Sequence, residues 1–412
     1  MAVGYALDLM RDTGLSSAAM YRHLVRLERA GRARAYWQDG RRLHVVIAQL
    51  PAAVRPCGRP AWWLPALAVA LVEAAAALSR PAADRLPDLA VYLGASAGLR
   101  DGTGLYDFAA ANHDPFTYPP FAGLLFLPLT YLGTVPVQLL WTAGTVLTVF
   151  ALAHLAAGRA ARCAPLVALA LAGSAPVSSD VRFGQVSLAL AALVAVDVLA
   201  GGDGRYRGVL VGVAAAVKLT PLVFVPMLWC GGRRRAAVVA GWTFVACGAL
   251  AGDVLPADSW RYWGADMWRL SRVGDLASTG NQSLNGALMR FGVPGPVRPA
   301  LVLVVGGAVA VLAVRRAARL GQAGDWLSAT VVVGAAGIVL SPVSWTHHQV
   351  WTVLGALLPV RGPAPVRWAW SVAVLAVMVL PVALLGPPVW SNARLVTAVA
   401  IACLVPLNSR CR

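Results

Sequence analysis

Between Asp88 and Pro120 one stretch of chain holds four aspartates (Asp88, Asp101, Asp107, Asp114), one histidine (His113) and three tyrosines (Tyr92, Tyr106, Tyr118). A carboxylate can take a proton as a general base, and phenol hydroxyls can hydrogen-bond a polyhydroxylated or phosphorylated ligand. The stretch follows the first long apolar segment and precedes the second, which makes it a loop between membrane spans. A loop of more than about 15 residues is usually functional or disordered, and this one is too aromatic to read as disordered. Three further polar islands interrupt an otherwise apolar sequence: Ser178–Gln185 (SSDVRFGQ), Asn281-Gln282-Ser283 and Ser344–His348 (SWTHH). A fourth feature is Lys218, the sole lysine of the chain, set within an apolar segment.

Each of these residues has a chemical and a structural reading. Asp88 lies about nine residues past the first span, where a carboxylate of tuned pKa can serve as general base; the alternative is a helix N-cap after Pro87. Lys218 can hold a phosphate as a point charge, or can snorkel to an interface. Arg182 and Gln185 can hold the same phosphate or a sugar hydroxyl, while a surface cation is the plainer role for Arg182. Tyr92 and Tyr118 count as substrate-binding candidates. The run Phe116–Pro120 can shape a sugar or lipid groove, or form an interfacial aromatic belt with prolines opening a helix. Trp345, His347 and His348 can orient a phosphate or share a proton, or can complete a polar turn. Asn281 and Gln282 can bind sugar hydroxyls, or cap a helix over 284–291. The acidic residues lack metal-ligand spacing, so no metal site is expected. Walker-type phosphate loops, a Ser/His/Asp order and haem motifs are absent too.

The elements that must position these residues are membrane helices. The chain has 412 residues, 58% of them hydrophobic and 13% charged, with a mean hydropathy of +0.67. These values describe an all-α polytopic membrane protein. The six cysteines are scattered without zinc or disulfide spacing, and the N-terminus carries no cleavable signal-peptide pattern. Apolar segments are expected at 62–79, 119–157 (too long for one span), 163–177, 184–201, 208–230, 236–255, 297–314, 326–342, 347–360, 366–386 and 390–407. The net charge is +17, with arginine clusters in the N-terminal region and at 159/162, 205/207, 233–235, 315/316/319, 361/367 and 410/412. By the positive-inside rule these clusters and both termini face the cytoplasm. Both 205/207 and 233–235 then lie inside, although only 208–230 separates them. Twenty-three residues cannot cross twice, so this segment is expected to be a re-entrant hairpin broken near Lys218-Leu219-Thr220-Pro221. The polar islands all fall on the extracytoplasmic side.

Residues 1–50 differ from the rest. A helix opened by Ser16 or Ser17 is followed by Ala35–Trp37 and Leu43–Val46 flanking Asp39-Gly40, a hairpin signal. The pattern resembles a winged helix–turn–helix of the PadR type, with Arg22, Arg26 and Arg29 on the second helix and Arg41 and Arg42 in the wing. Residues 51–61 read as a linker and 62–408 as the membrane domain. Nucleic acid is a conceivable partner only through residues 1–50.

Taken in order, Asp88–Tyr92, Gly104-Leu105-Tyr106, Phe116–Pro120, Phe183-Gly184-Gln185, Lys218–Pro221, Asn281-Gln282-Ser283 and Ser341–Trp345 with His347-His348 resemble glycosyltransferase family 87. These are polyprenol-phosphate-mannose-dependent mannosyltransferases of GT-C fold. The resemblance implies a GT-C-type bundle of about 10–12 transmembrane or re-entrant helices and an inverting, metal-independent transfer of mannose on the outer face. It implies a polyprenyl-phosphate donor as substrate with no cofactor, a glycolipid or lipoglycan acceptor, and Asp88 as the catalytic Asp of the first outer loop. The winged-helix-like segment departs from the family pattern. Two rival classes are a transporter or flippase of a lipid-linked sugar and a membrane-tethered DNA-binding regulator. The first predicts inverted repeats and a site open to both sides, whereas no internal repeat is found. The second leaves the outer motifs unexplained.

Overall fold

The computed structural model describes residues 33–38, 41–46, 60–110, 113–200, 204–386 and 388–408. Two compact units divide the chain, Met1–Cys57 and Gly58–Arg412. In the first, β1 (Ala33–Gln38) pairs antiparallel with β2 (Arg41–Val46), Gln38 opposite Arg41 and Ala33 opposite Val46. This is the expected hairpin. Its turn, the helices expected before it and Arg22, Arg26 and Arg29 lie outside the described residues.

Among the described residues of the second unit every regular element is helical, apart from isolated bridges. Helix α1 (Leu64–Leu78) is followed by α2 (Pro87–Gly98), α3 (Pro120–Phe126), α4 (Thr134–Ala157), α5 (Ala164–Ala172) and α6 (Ala175–Phe183). Next come α7 (Ser187–Leu199), α8 (Val209–Val217), α9 (Phe224–Cys230), α10 (Arg234–Val254), α11 (Pro256–Gly264) and α12 (Leu284–Arg290). The chain continues through α13 (Arg298–Gln322), α14 (Trp326–Leu340), α15 (Val350–Leu354), α16 (Ala364–Val379) and α17 (Ala393–Val399), which runs on as a π-helical turn Ala400–Leu404.

Four described helices are long and apolar enough to cross a membrane: Ala61–Leu78, Thr134–Ala157, Arg234–Val254 and Arg298–Gln322. The pair α5 and α6, bent by 61°, makes a fifth if it is one span. The remaining apolar segments form shorter helices, among them Ser187–Leu199, Trp326–Leu340 and Ala364–Val379. The over-long 119–157 segment resolves into a short helical stretch, Pro120–Tyr131, before the full span α4. Each long helix turns broad apolar faces outward, as Leu147, Trp242 and Leu303 do. Such faces suit a hydrocarbon surround rather than water. The protein is a multi-pass membrane protein.

The 208–230 segment enters and returns. Helix α8 ends at Val217, Lys218 is extended (φ −150°, ψ 130°), and a 3-10 turn Thr220–Val223 leads into α9. Both feet reach the same carbonyl: Arg207 donates to Val198 O at 3.0 Å and Arg233 donates to it at 2.8 Å. The hairpin lies close against α10 because glycines face it. A Cβ on Gly208 (φ +103°) would lie 2.1 Å from Ala236 O. Nine residues of α8 rise about 14 Å, which carries Lys218 well into the bundle from the feet of the hairpin.

The bundle therefore has two ends. At one, Ser187 starts α7 and Lys218 ends α8. At the other, Val198 meets Arg207 and Arg233. Thirteen residues of α7 separate them by about 20 Å.

Candidate active site

Asp88 is the second residue of α2, after Pro87 at the first position. The N-cap is Leu86, not Asp88, and no side chain caps this helix. The capping alternative therefore does not describe Asp88. Leu86 holds the left-handed conformation (φ 49°, ψ 58°) and is buried, an unfavourable state that its surroundings must impose. Gly184 supplies the space. It has φ +67°, and a Cβ there would lie 2.9 Å from the Cβ atoms of both Leu86 and Leu89. Two motifs nearly a hundred residues apart thus lock together through a glycine.

That contact brings Gln185 to Asp88. Gln185 Nε2 donates to Asp88 Oδ2 at 2.5 Å, and its Oε1 accepts from Tyr92 OH at 2.9 Å and from Tyr118 OH at 3.0 Å. The two tyrosine hydroxyls are 2.8 Å apart. The side-chain amide is thus used on both sides by protein groups, and Gln185 positions the carboxylate. Asp180 sets the turn that carries it. Its backbone carbonyl accepts from Gln185 N–H and its carboxylate from Leu188 N–H, both at 3.0 Å. Tyr106 OH donates to Tyr118 O at 2.7 Å and fixes the other tyrosine-bearing strand of the loop.

Lys218 completes the cluster. Its Nζ lies 3.3 Å from Tyr118 OH, 3.5 Å from Ser187 Oγ and 2.7 Å from His348 Nε2. The Lys218 ammonium has no lone pair, so at 2.7 Å it donates to His348 Nε2, which accepts. Trp345 N lies 3.2 Å from the other ring nitrogen, Nδ1. Lys218, steadied by His348, borders the cavity with its remaining protons, an arrangement suited to an anionic oxygen. His347 Nδ1 is 3.5 Å from Ser179 Oγ, and its buried Nε2 has no hydrogen-bond partner.

These groups line one cavity of about 790 Å³. Asp88, Tyr92, Tyr118, Gln185, Lys218, Trp345, His347 and His348 all border it. Burial pushes the Asp88 carboxyl up to about 6 from its ordinary 3.8; the Gln185 hydrogen bond and Lys218 oppose the rise, and Asp114 adds to it. A half-buried carboxyl near that value is poised to exchange a proton at neutral pH.

Three residues picked from the sequence lie elsewhere. Arg182 is exposed, its guanidinium 5.3 Å from the Phe183 ring centroid. Asn281 and Gln282 are fully buried. Asn281 Oδ1 accepts from Ser283 N–H and Ser344 N–H, and Gln282 donates to Thr279 O and Ser391 O and accepts from Leu395 N–H. They tie the 341–348 turn and α17 to the loop before α12, and neither borders the cavity. Ser283, next to them, caps α12 by accepting from Gly286 N–H at 3.0 Å.

Other functional residues escaped the sequence reading. Asp180 and Ser179 lie inside an island already marked, where longer side chains drew attention. Arg272 borders the cavity and pairs with Asp266 at 2.6 Å, which no local pattern announces. Among the described residues, no group of three or more His, Cys, Asp or Glu is placed to hold a metal ion.

The chain matches glycosyltransferase family 87 over residues 116–342. It is 33% identical over 329 residues to the polyprenol-phosphate-mannose-dependent alpha-(1-2)-phosphatidylinositol pentamannoside mannosyltransferase of Mycolicibacterium smegmatis, covering 74% of this chain and 79% of that one.

This chain belongs to glycosyltransferase family 87.

A second relative is the polyprenol-phosphate-mannose-dependent alpha-(1-2)-phosphatidylinositol mannoside mannosyltransferase of Mycobacterium tuberculosis, 34% identical over 299 residues, 66% of this chain and 69% of the relative. No solved structure matches. As a family 87 member the protein is a membrane glycosyltransferase. The family match does not extend to residues 1–50, and nothing in it supports a nucleic-acid partner. Within the family region lie Tyr118, Gln185, Lys218 and the loop before α12. Asp88 precedes it, joined to it in space through Gly184 and Gln185.

Proposed function

We propose that the protein transfers mannose from a polyprenyl-phosphate-mannose donor to a hydroxyl of a phosphatidylinositol mannoside-type glycolipid, with inversion, at the cavity around Asp88. One observation carries the reading: a carboxylate near pKa 6 and a lysine–histidine pair face the same cavity. The donor and acceptor classes come from the names of the relatives.

In this mechanism Asp88 takes the proton of the acceptor hydroxyl as its oxygen bonds to the anomeric carbon. The bond from that carbon to the phosphate oxygen breaks, and the lipid phosphate leaves with the electron pair. Gln185 holds Oδ2, which leaves Oδ1 for the proton. Lys218, held by His348 Nε2, stabilises the charge developing on the leaving oxygen. His347 and the two tyrosines border the same cavity, where sugar hydroxyls would lie. The apolar outer faces of the bundle suit the polyprenyl tail.

The reading also puts the cavity on the extracytoplasmic face and both termini in the cytoplasm. Its support is the two-ended bundle: the arginine clusters 205/207 and 233–235 lie at one end and the cavity at the other, and the positive-inside rule assigns those clusters to the cytoplasm. A lipid-linked donor fits such a face, where nucleotide sugars are not expected. Residues 1–50, 51–61 and 62–408 are taken as a winged-helix-like segment, a linker and the transferase domain. The test is a membrane assay with radiolabelled polyprenyl-phosphate-mannose and a panel of phosphatidylinositol mannosides. Labelled glycolipid product is expected. Transfer from a nucleotide sugar instead would overturn the donor assignment.

A further inference from the structure

At the end of the bundle opposite the reaction cavity lies a second cavity of about 580 Å³. It is bordered by Arg207, Arg233, Arg234, Arg235, Gln322 and Trp326, at the feet of the re-entrant hairpin. No carboxylate is among the described residues lining it. The nearest described acids are otherwise engaged. Asp197 accepts from Gly208 N–H at 2.7 Å and Val211 N–H at 2.9 Å, and Asp325 accepts from Ser328 N–H at 3.1 Å. Asp203 lies outside the described residues. Counting it from the sequence, the segments 203–207 and 231–236 still carry Arg205, Arg207, Arg233, Arg234 and Arg235 against a single acid.

The arginines divide by role. Arg207 and Arg233 hold the hairpin feet to Val198 O. Arg234 and Arg235 are exposed and begin α10, a full-length span. That start fixes the cavity at the level of the membrane surface. Aromatic rings mark the same level: the Arg233 guanidinium lies 3.7 Å from the Trp326 ring centroid, and that of Arg234 lies 5.8 Å from Trp229, which is 48% exposed. Tryptophan at such a depth is the usual interfacial anchor.

We propose that this cavity binds the phosphate of an anionic lipid headgroup, held by Arg234 and Arg235, on the face opposite the reaction site. The shared chemistry is a phosphate between guanidiniums. Its place at the membrane surface makes a lipid headgroup, rather than a free phosphate, the occupant. The proposal is independent of the donor and acceptor assigned above.

The test uses the full-length protein in phosphatidylcholine nanodiscs, with and without phosphatidylglycerol, and native mass spectrometry to count retained lipid. One phosphatidylglycerol should be retained per chain. In Arg234→Gln/Arg235→Gln its affinity should fall roughly thirtyfold, as two surface arginines are each worth about 1 kcal/mol. Arg234→Lys/Arg235→Lys should keep most of it, which separates lost charge from lost fold. Inorganic phosphate or pyrophosphate added to neutral discs should not bind comparably. Retention unchanged in the Gln variant, or equal occupancy by inorganic phosphate, would overturn the lipid site.

Discussion

Replacing Asp88 by Asn keeps the size of the side chain and an oxygen able to accept from Gln185 Nε2, but removes the group that takes the proton. General-base help is typically worth about 10²–10⁴ in rate, so turnover should fall by that range. Donor affinity should change little, because the loss belongs to the transition state. Stability should move the other way. The folded carboxyl titrates near 6 rather than 3.8, so the folded state binds the proton more tightly than the unfolded chain. That contribution is fully present below about 3.8 and is lost as pH rises through about 6. At pH 7 it leaves a cost of up to about 3 kcal/mol in order of magnitude, which Asn does not incur. Asp88→Asn should therefore be at least as heat-stable as the parent at pH 7 and far slower. In the parent, activity should fall on acidification through about pH 6, to roughly one-tenth at pH 5. Transfer rate, donor affinity and thermal unfolding of one variant, with a pH profile of the parent, test all of this. Near-normal turnover in Asp88→Asn would refute the reasoning.

Gln185→Ala removes a hydrogen bond that lowers the Asp88 value, so the acidic limb of the pH profile should shift upward and turnover should drop; an unmoved limb would mean the bond does not act on the base. Lys218→Ala should raise the donor KM, with Lys218→Arg recovering only part because the guanidinium is larger and planar; an unchanged KM would leave Lys218 as a structural lysine. Gly184→Val forces a Cβ into Leu86 and Leu89 at a left-handed position and should cost more than about 2 kcal/mol of stability, read as lower folded yield and earlier thermal unfolding. In a cysteine-free background, a single cysteine at 101 should react with an impermeant reagent from outside and one at 234 should not; the reverse pattern would invert the topology.

Hydropathy and charge were sufficient for much of this protein, because both are one-dimensional properties. A membrane demands long apolar stretches whatever packs beside them, and arginine placement follows the same demand. From these came the multi-pass helical class, the split of 119–157, and the break at Lys218, where 23 residues had to start and finish on one side. The ordered motifs likewise carried the family. What a polar residue touches is a different matter, since it depends on partners far away in sequence. Gln185, Asn281 and Gln282 looked alike as polar groups in outer loops. Packing assigns Gln185 to Asp88 and the two tyrosines, and assigns the other two to backbone groups of distant turns. Arg182, two residues beyond Asp180 on the same helix, faces outward while Asp180 is buried, a difference of helix phase that a short polar island does not reveal. Arg272 reaches the cavity only because the loop before α12 folds over it. The left-handed Leu86 that aims Asp88 exists only because Gly184 leaves room for it, and that room is created by tertiary contact alone.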